Sequence, residues 1–235
     1  MATSNAKQAP ILIVAALSRE LAELGGEPHP GLTLLETGEG IVNAERHLEA
    51  WLEQGRSRAV LSIGFAGALS PLLRAGDIVI ADKVRDSSAT PDAKLLSAAR
   101  RVQTDDPTIH FGVAVTSHEI LWQAESKRAL ATSLAGGETG FVDMESTAIA
   151  NVCGRRGLPF LIARSITDLL DEDLPLDFNQ FRDRDGRVDQ MRVIKAALLR
   201  PSTLKGLLEL RKRSKLCAER MARLVRRLVL LINQA

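Results

Sequence analysis

The sequence predicts an α/β protein. The expected architecture is three layers, α/β/α, around a central mixed, mostly parallel sheet, with a C-terminal basic amphipathic helical tail. Three observations carry this. The continuous apolar run Ile11–Ala16 reads as a strand buried on both faces, and Ala59–Ile63 and Pro159–Ile166 read as further strands. Helical patterns lie between them, and strands alternating with helices build parallel sheets. Residues 202–235 carry apolar positions at steps of three and four, an amphipathic stripe.

The elements follow in order. Ile11–Ala16 is the first strand, and Ser18 caps a helical pattern over Arg19–Leu24 that Gly25-Gly26-Glu27-Pro28 breaks. Leu32–Glu36 is a second strand. The glycines of Thr37-Gly38-Glu39-Gly40 precede a helix from Asn43 to about Glu53, and they let backbone approach a ligand closely. Walker spacing is absent there. Ala59–Ile63 is a strand ending in Gly64-Phe65-Ala66-Gly67-Ala68-Leu69, and Ile78–Ala81 is another. Asp92–Val102 reads as helix, Phe111–Val115 as strand and Ala124–Leu134 as helix. Phe141–Met144 is a strand that runs into a helix over Ser146–Arg156. Pro159–Ile166 leads to Thr167-Asp168. Asp171–Arg187 is a polar loop, a helix spans about Val188–Leu199, and one or two helices follow Pro201. The chain divides at that proline into a unit of residues 1–200 and a helical extension, 201–235, packed on or projecting from it.

Ligands of parallel sheets gather at the carboxyl ends of the strands. Here those ends hold Glu20, the Gly38/Gly40 turn, Phe65, Ser117, Glu145 and Asp168.

Composition narrows the function. Aromatic residues are 3% of the chain and Tyr is absent, which argues against an aromatic nucleic-acid platform. Cys153 and Cys217 offer neither a metal spacing nor a disulfide framework, and His29, His47, His110 and His118 are scattered. No metal site and no organic cofactor are implied, and a reducing cytoplasm is the expected compartment. The start, Met1–Leu17, reads as a first strand rather than a signal peptide, and no apolar run is long enough to span a bilayer. Residues 202–235 hold nine Lys/Arg against Glu209 and Glu219, a net +7. The whole chain is +2, so the first 201 residues are net −5. The tail is therefore basic and the body acidic, which does not fit a nucleic-acid binder. A basic amphipathic helix is also a pattern of peripheral membrane contact. The plainer reading is a helix that covers the core and keeps a solvated basic face.

Four blocks together resemble one family. They are Ala15–Leu21, Thr37–Ala44, Ile63–Lys83 (Ile-Gly-Phe-Ala-Gly-Ala-Leu…Ala-Gly-Asp-Ile-Val-Ile-Ala-Asp) and Val142–Asp168 (Val-Asp-Met-Glu-Ser…Ile-Ala-Arg-Ser-Ile-Thr-Asp). Over roughly residues 10–170 the chain resembles the purine nucleoside phosphorylase and nucleosidase superfamily. Its nearest branch is the 5′-methylthioadenosine/S-adenosylhomocysteine nucleosidases. The resemblance implies cleavage of the N-glycosidic bond of a purine nucleoside, an adenosine modified at the 5′ position. Asp168 would protonate the departing base. Glu145 would bind the ribose diol and stabilise the oxocarbenium-like transition state. Glu20 would handle the attacking water. Substrate contacts would come from Met144 on the sugar face, from Phe65, Ala66, Gly67, Val142 and Thr167 around the pocket, and from Ser117 and Trp122 toward the base or the 5′ group. A homodimer or larger homo-oligomer is expected, since a neighbour's loop usually closes the 5′ end in this family.

Departures from the family pattern qualify the reaction. Phe65 stands where many members have a Ser that contacts the nucleophile, and Ser62 stands where phosphorylases carry an Arg for phosphate. A phosphate dianion needs donors, so these departures favour hydrolysis. Arg19 is the one residue that keeps a phosphate site open, with inorganic phosphate as co-substrate. The Asp143-Met144-Glu145-Ser146 version also resembles the hopanoid-associated members, described as phosphorylases of an adenosyl-lipid. The alternatives are therefore phosphorolysis and a catalytically inactive nucleoside-binding protein.

Overall fold

The structure, a computed structural model, describes residues 9–25, 31–102, 107–183, 188–198 and 200–234. Seven strands form one sheet: β1 (Ile11–Ala15), β2 (Leu32–Glu36), β3 (Ala59–Ala68), β4 (Ile78–Val84), β5 (Ile109–Thr116), β6 (Gly140–Asp143) and β7 (Phe160–Asp168). The helices are α1 (Ser18–Leu21), α2 (Ile41–Gln54), α3 (Ala93–Arg100), α4 (Ala124–Ala131), α5 (Ser146–Arg156), α6 (Gln190–Leu198) and α7 (Pro201–Asn233).

The strand order is β2-β1-β3-β6-β5-β4-β7, and β7 pairs back onto β3. Five strands therefore close into a barrel, while β1 and β2 extend the sheet from the first half of β3. Only β3–β6 and β4–β7 are antiparallel among the pairings; the others are parallel. The predicted mixed, mostly parallel sheet is present. Closure is the addition, and it turns the strand ends toward one another.

Two-sided burial follows from the apolar runs. On β1, Leu12 and Val14 enter the core shared with α2 and α5. Ile11, Ile13 and Ala15 enter the opposite core, shared with α1, α3 and α7. These two helical sides and the sheet make the three layers. Asp92 caps α3 by accepting from Lys94 N at 2.9 Å and Leu95 N at 3.0 Å.

Several boundaries differ from the sequence reading, each for a physical reason. β3 does not stop at Ile63. It continues through Gly64–Ala68 because Gly64, Phe65 and Ala66 pair with β7, and Gly67 and Ala68 pair with β6. Small residues there suit a strand crowded on both edges. Ser18 is not the cap of α1. The cap position is Leu17, whose N–H donates to the Glu20 carboxylate at 2.9 Å. The loop after β7 contains a short 3-10 helix, Phe178–Phe181, and a bridge between Arg182 and Val188.

The tail is a single helix. Pro201 stands in its first turn, where a missing N–H costs nothing. Cys217, Ala218, Met221, Ala222, Leu224, Val225 and Leu228 are buried against the sheet. Fully burying a side chain of the Met, Leu or Val class is worth about 1.5–3 kcal/mol, so α7 is part of the core. Lys205, Arg211, Lys212, Lys215, Arg223, Arg226 and Arg227 are exposed, whereas Arg213 and Arg220 are half-buried. No described helix is long and apolar enough to cross a membrane.

Candidate active site

The predicted site residues collect where β1, β3, β6 and β7 end. Glu20 is 6% exposed, although it lies in the first turn of a surface helix. Its two oxygens accept from Leu17 N and Phe65 N, each at 2.9 Å. A Cβ on Gly64 would lie 3.0 Å from Glu20 Oε1, so only glycine lets the carboxylate approach β3 this closely. Burial raises the Glu20 pKa, opposed by the two backbone N–H groups and by Arg164 and Arg19.

Glu145 is 8% exposed and occupies the position before α5. It accepts from Gly40 N at 2.7 Å. Gly40 has φ +92°, a left-handed conformation that aims its N–H at the acid. Burial pushes the Glu145 carboxyl up to about 8, Asp143 adds to the rise, and Arg164 and the Gly40 N–H oppose it. Gly40 N is the hydrogen-bond donor to this carboxyl among the described residues.

Asp143 is more than a spacer before Glu145. It accepts from Arg164 Nε at 2.8 Å, from Thr116 Oγ1 at 3.3 Å, from Ser146 N at 3.2 Å and from the Ser146 hydroxyl. Ser146, next but one after Met144 in the same motif, is therefore a hydroxyl partner of Asp143. Arg164 is 2% exposed and also donates to Ala163 O at 3.0 Å and to Ser62 Oγ at 3.1 Å. One guanidinium stands among three acids, Glu20, Asp143 and Glu145, and its field reaches each of them.

Asp168 ends β7 on the neighbouring side of the pocket. A register shift between Ala66 and Gly67 brings Gly67 opposite Asp168. A Cβ on Gly67 would lie 3.0 Å from Asp168 Oδ2 and 3.3 Å from Val142 Cγ1. Thr167 Oγ1 donates to Asp168 Oδ1 at 2.9 Å and lies 3.4 Å from Ala66 O. Lys127 of α4, with no exposed surface, donates to Asp168 Oδ2 at 2.7 Å.

The remaining predicted residues lie around this centre. Phe65 and Met144 are half-buried, and Ala66, Gly67, Val142 and Thr167 are buried. Ser117 N donates to Asp143 O at 2.8 Å, while its hydroxyl turns to Glu119 O at 2.7 Å. Trp122 is half-buried at the rim, where its carbonyl accepts from Leu174 N at 2.7 Å. An open depression lies between Ile120, Trp122, Asp177 and Asn179. Asn179 fixes that rim by pairing with both backbone groups of Ile120 at 2.9 Å. Arg182 reaches across, lying near Gly40 and donating to His118 O at 3.4 Å. Arg19 is exposed, and its charge acts on Glu20 and Glu39.

Sequence reasoning missed Arg164 and Lys127 as site residues. Arg164 had a signal, because a charge inside the apolar run Phe160–Ile166 needs a buried partner. Lys127 had none: Ala124–Ala131 reads as an ordinary surface helix. Among the described residues no group of three His, Cys, Asp or Glu side chains is placed to hold a metal.

The same fold occurs in solved nucleosidases. A 5′-methylthioadenosine/S-adenosylhomocysteine nucleosidase from Neisseria meningitidis, in complex with methylthio-immucillin-A, matches with TM-score 0.71 at 19% identity, covering 94% of this chain and 98% of that one. The corresponding enzyme from Helicobacter pylori gives TM-score 0.69 at 17% identity over 94% and 98% of the two chains. Futalosine hydrolase of Helicobacter pylori strain 26695 gives 0.69 at 18%, over 94% and 97%. The family profile described as the phosphorylase superfamily matches residues 29–199, from the approach to β2 through α6. By that match, which spans well over half its length, this chain belongs to the phosphorylase superfamily.

Proposed function

We propose that this protein hydrolyses the N-glycosidic bond of a purine nucleoside, an adenosine modified at the 5′ position. The observation that carries the reading is the pair of buried acids on either side of Gly64 and Gly40: Glu20 held by Leu17 N and Phe65 N, and Glu145 held by Gly40 N. The ribose diol donates to Glu145. Water attacks C1′ and gives its proton to Glu20, whose raised pKa makes it a better base near neutral pH. The C1′–N9 bond breaks, its electron pair goes to the purine, and the base takes a proton from Asp168. Free base and the 5′-modified ribose leave.

Hydrolysis is favoured over phosphorolysis by the lack of free donors. The nucleophile side holds Glu20, Asp143 and Glu145 beside one buried cation, and that cation, Arg164, already serves Asp143, Ala163 O and Ser62. A phosphate dianion would meet three acids and few donors. Release of base should be followed from adenosine, inosine, methylthioadenosine and adenosylhomocysteine, each with and without phosphate. Base release that needs phosphate and yields ribose 1-phosphate establishes the phosphorylase instead. No release from any substrate, together with measurable nucleoside affinity, establishes a binding protein instead.

We also propose a homo-oligomer that requires neither metal nor organic cofactor and works in the cytoplasm. Met191, Ile194 and Leu198 leave α6 with an exposed apolar row, which supports a subunit contact. Residues 1–200 would form the catalytic unit and 201–235 its extension. Peripheral membrane contact would fall to the exposed basic face of α7, since the opposite face is occupied by the sheet.

A further inference from the structure

We propose that Lys127 is the positioning residue of Asp168, and that the C-terminal helix α7 holds it in place. The inference rests on the proposed role of Asp168 as proton donor to the base.

The geometry is a relay of contacts. Lys127 Nζ has three protons and three acceptors: Asp168 Oδ2 at 2.7 Å, Leu169 O at 2.6 Å and Glu172 O at 2.7 Å. A fully buried ammonium with every proton placed has one orientation. It therefore fixes one oxygen of Asp168. Oδ2 is committed to the ammonium, so the oxygen left to carry a proton toward a base is Oδ1. That oxygen faces Thr167 Oγ1, and the Thr167 hydroxyl has Ala66 O at 3.4 Å as an alternative acceptor. When Oδ1 is protonated, Thr167 can turn to Ala66 O and leave Oδ1 free to donate. The ammonium keeps its hydrogen bond to Oδ2 throughout, so the carboxyl group does not turn as the proton leaves.

The cage around Lys127 is itself tied down. The Glu172 side chain accepts from Arg213 of α7, Nη1 to Oε2 at 2.6 Å and to Oε1 at 2.9 Å. Glu172 Oε2 also accepts from Leu169 N at 3.3 Å, closing the turn that presents both carbonyls to Lys127. Arg213 lies outside the segment that the family profile matches, 29–199. The tail thus reaches the reacting end of β7 through two ion pairs, Arg213–Glu172 and Lys127–Asp168.

The test is a double-mutant cycle of Lys127→Met and Asp168→Asn, read as kcat and KM on the best substrate of the panel. Lys127→Met should lower kcat about 100-fold, the scale of a misplaced reacting group, and leave KM within about threefold. In the Asp168→Asn background the same change should lower kcat by no more than about threefold, because the group it positions is gone. Equal losses in both backgrounds, or an unchanged kcat in Lys127→Met, would overturn the proposal. Where Lys127→Met gives no folded protein, Arg213→Met on the same cycle decides it. A several-fold loss of kcat confined to the Asp168 background supports the relay, and an equal loss or none overturns it. A wild type that releases no base refutes the proposed function itself, whereas turnover with additive losses refutes only the positioning role.

Discussion

Arg164 Nε and Asp143 Oδ2 meet at 2.8 Å in side chains that are almost wholly buried. Removing one partner of such a pair leaves an uncompensated charge, at a cost of about 3–5 kcal/mol. Asp143→Ala should therefore lower the melting temperature, by about 2–4 °C per kcal/mol for a chain of this size. Thermal unfolding followed by circular dichroism checks this. A variant as stable as wild type would mean that Arg164 is satisfied without Asp143.

Glu145 should make the ligand-free protein lose stability as pH rises. Its carboxyl titrates near 8 in the fold against an ordinary value of 4.5. A raised folded value means the fold holds a proton that the unfolded chain has released. The contribution is complete below about pH 4.5 and is lost as pH rises through about 8. Glu20 and Glu39, also raised by burial, act in the same direction. Glu145→Gln removes the largest part of this slope. Denaturant titrations at pH 5, 7 and 8.5 should show the variant gaining on wild type as pH rises, by on the order of 2 kcal/mol at the top of the range. Its turnover should fall sharply at every pH.

Gly64→Ala and Glu20→Gln should damage turnover more than stability. The new Cβ would stand 3.0 Å from Glu20 Oε1 and 3.3 Å from its Cδ, so the carboxylate must leave Phe65 N. Loss of a general base costs about 10²–10⁴ in rate. Both variants should approach that range in kcat, with KM changed much less. Gly112→Ala is the contrasting case. Its Cβ would lie 2.2 Å from the backbone Thr139 O, so β5 and β6 must part and the fold should suffer first. Parallel kcat and melting measurements on the three variants separate the effects, and equal melting losses in all three would contradict this assignment.

The helix α7 should prove inseparable from the rest. Met221 and Leu224 are 1% and 4% exposed. Met221→Ala or Leu224→Ala should cost about 2–5 kcal/mol, and a chain ending near Pro201 should be insoluble. A liposome test of membrane contact therefore needs charge reversal on the exposed face, such as Arg223→Glu with Lys212→Glu, rather than truncation. Co-sedimentation with anionic vesicles that is unchanged by both reversals would exclude the tail as the contact.

By itself the sequence determined the element types and set Glu20, Glu145 and Asp168 at or just beyond strand ends. Continuous apolar runs make strands buried on both faces, because a half-exposed strand would alternate. The resemblance of the blocks around Glu20, Glu145 and Asp168 to one family named these acids as candidates. Tertiary structure decided everything that depends on partners far apart in the chain. It extended β3 through Gly64–Ala68, because the hydrogen bonds that hold those residues come from β6 and β7. It assigned Asp143 to Arg164 across 21 positions, and Lys127 to Asp168 across 41. It placed Gly40 N on Glu145 across 105. It also turned the apolar stripe of α7 inward, where a stripe alone fits a sheet, a second subunit or a membrane surface equally well. Local patterns fix local geometry and the residue types a site needs. Which charge neutralises which is settled only when the barrel closes and buries them together.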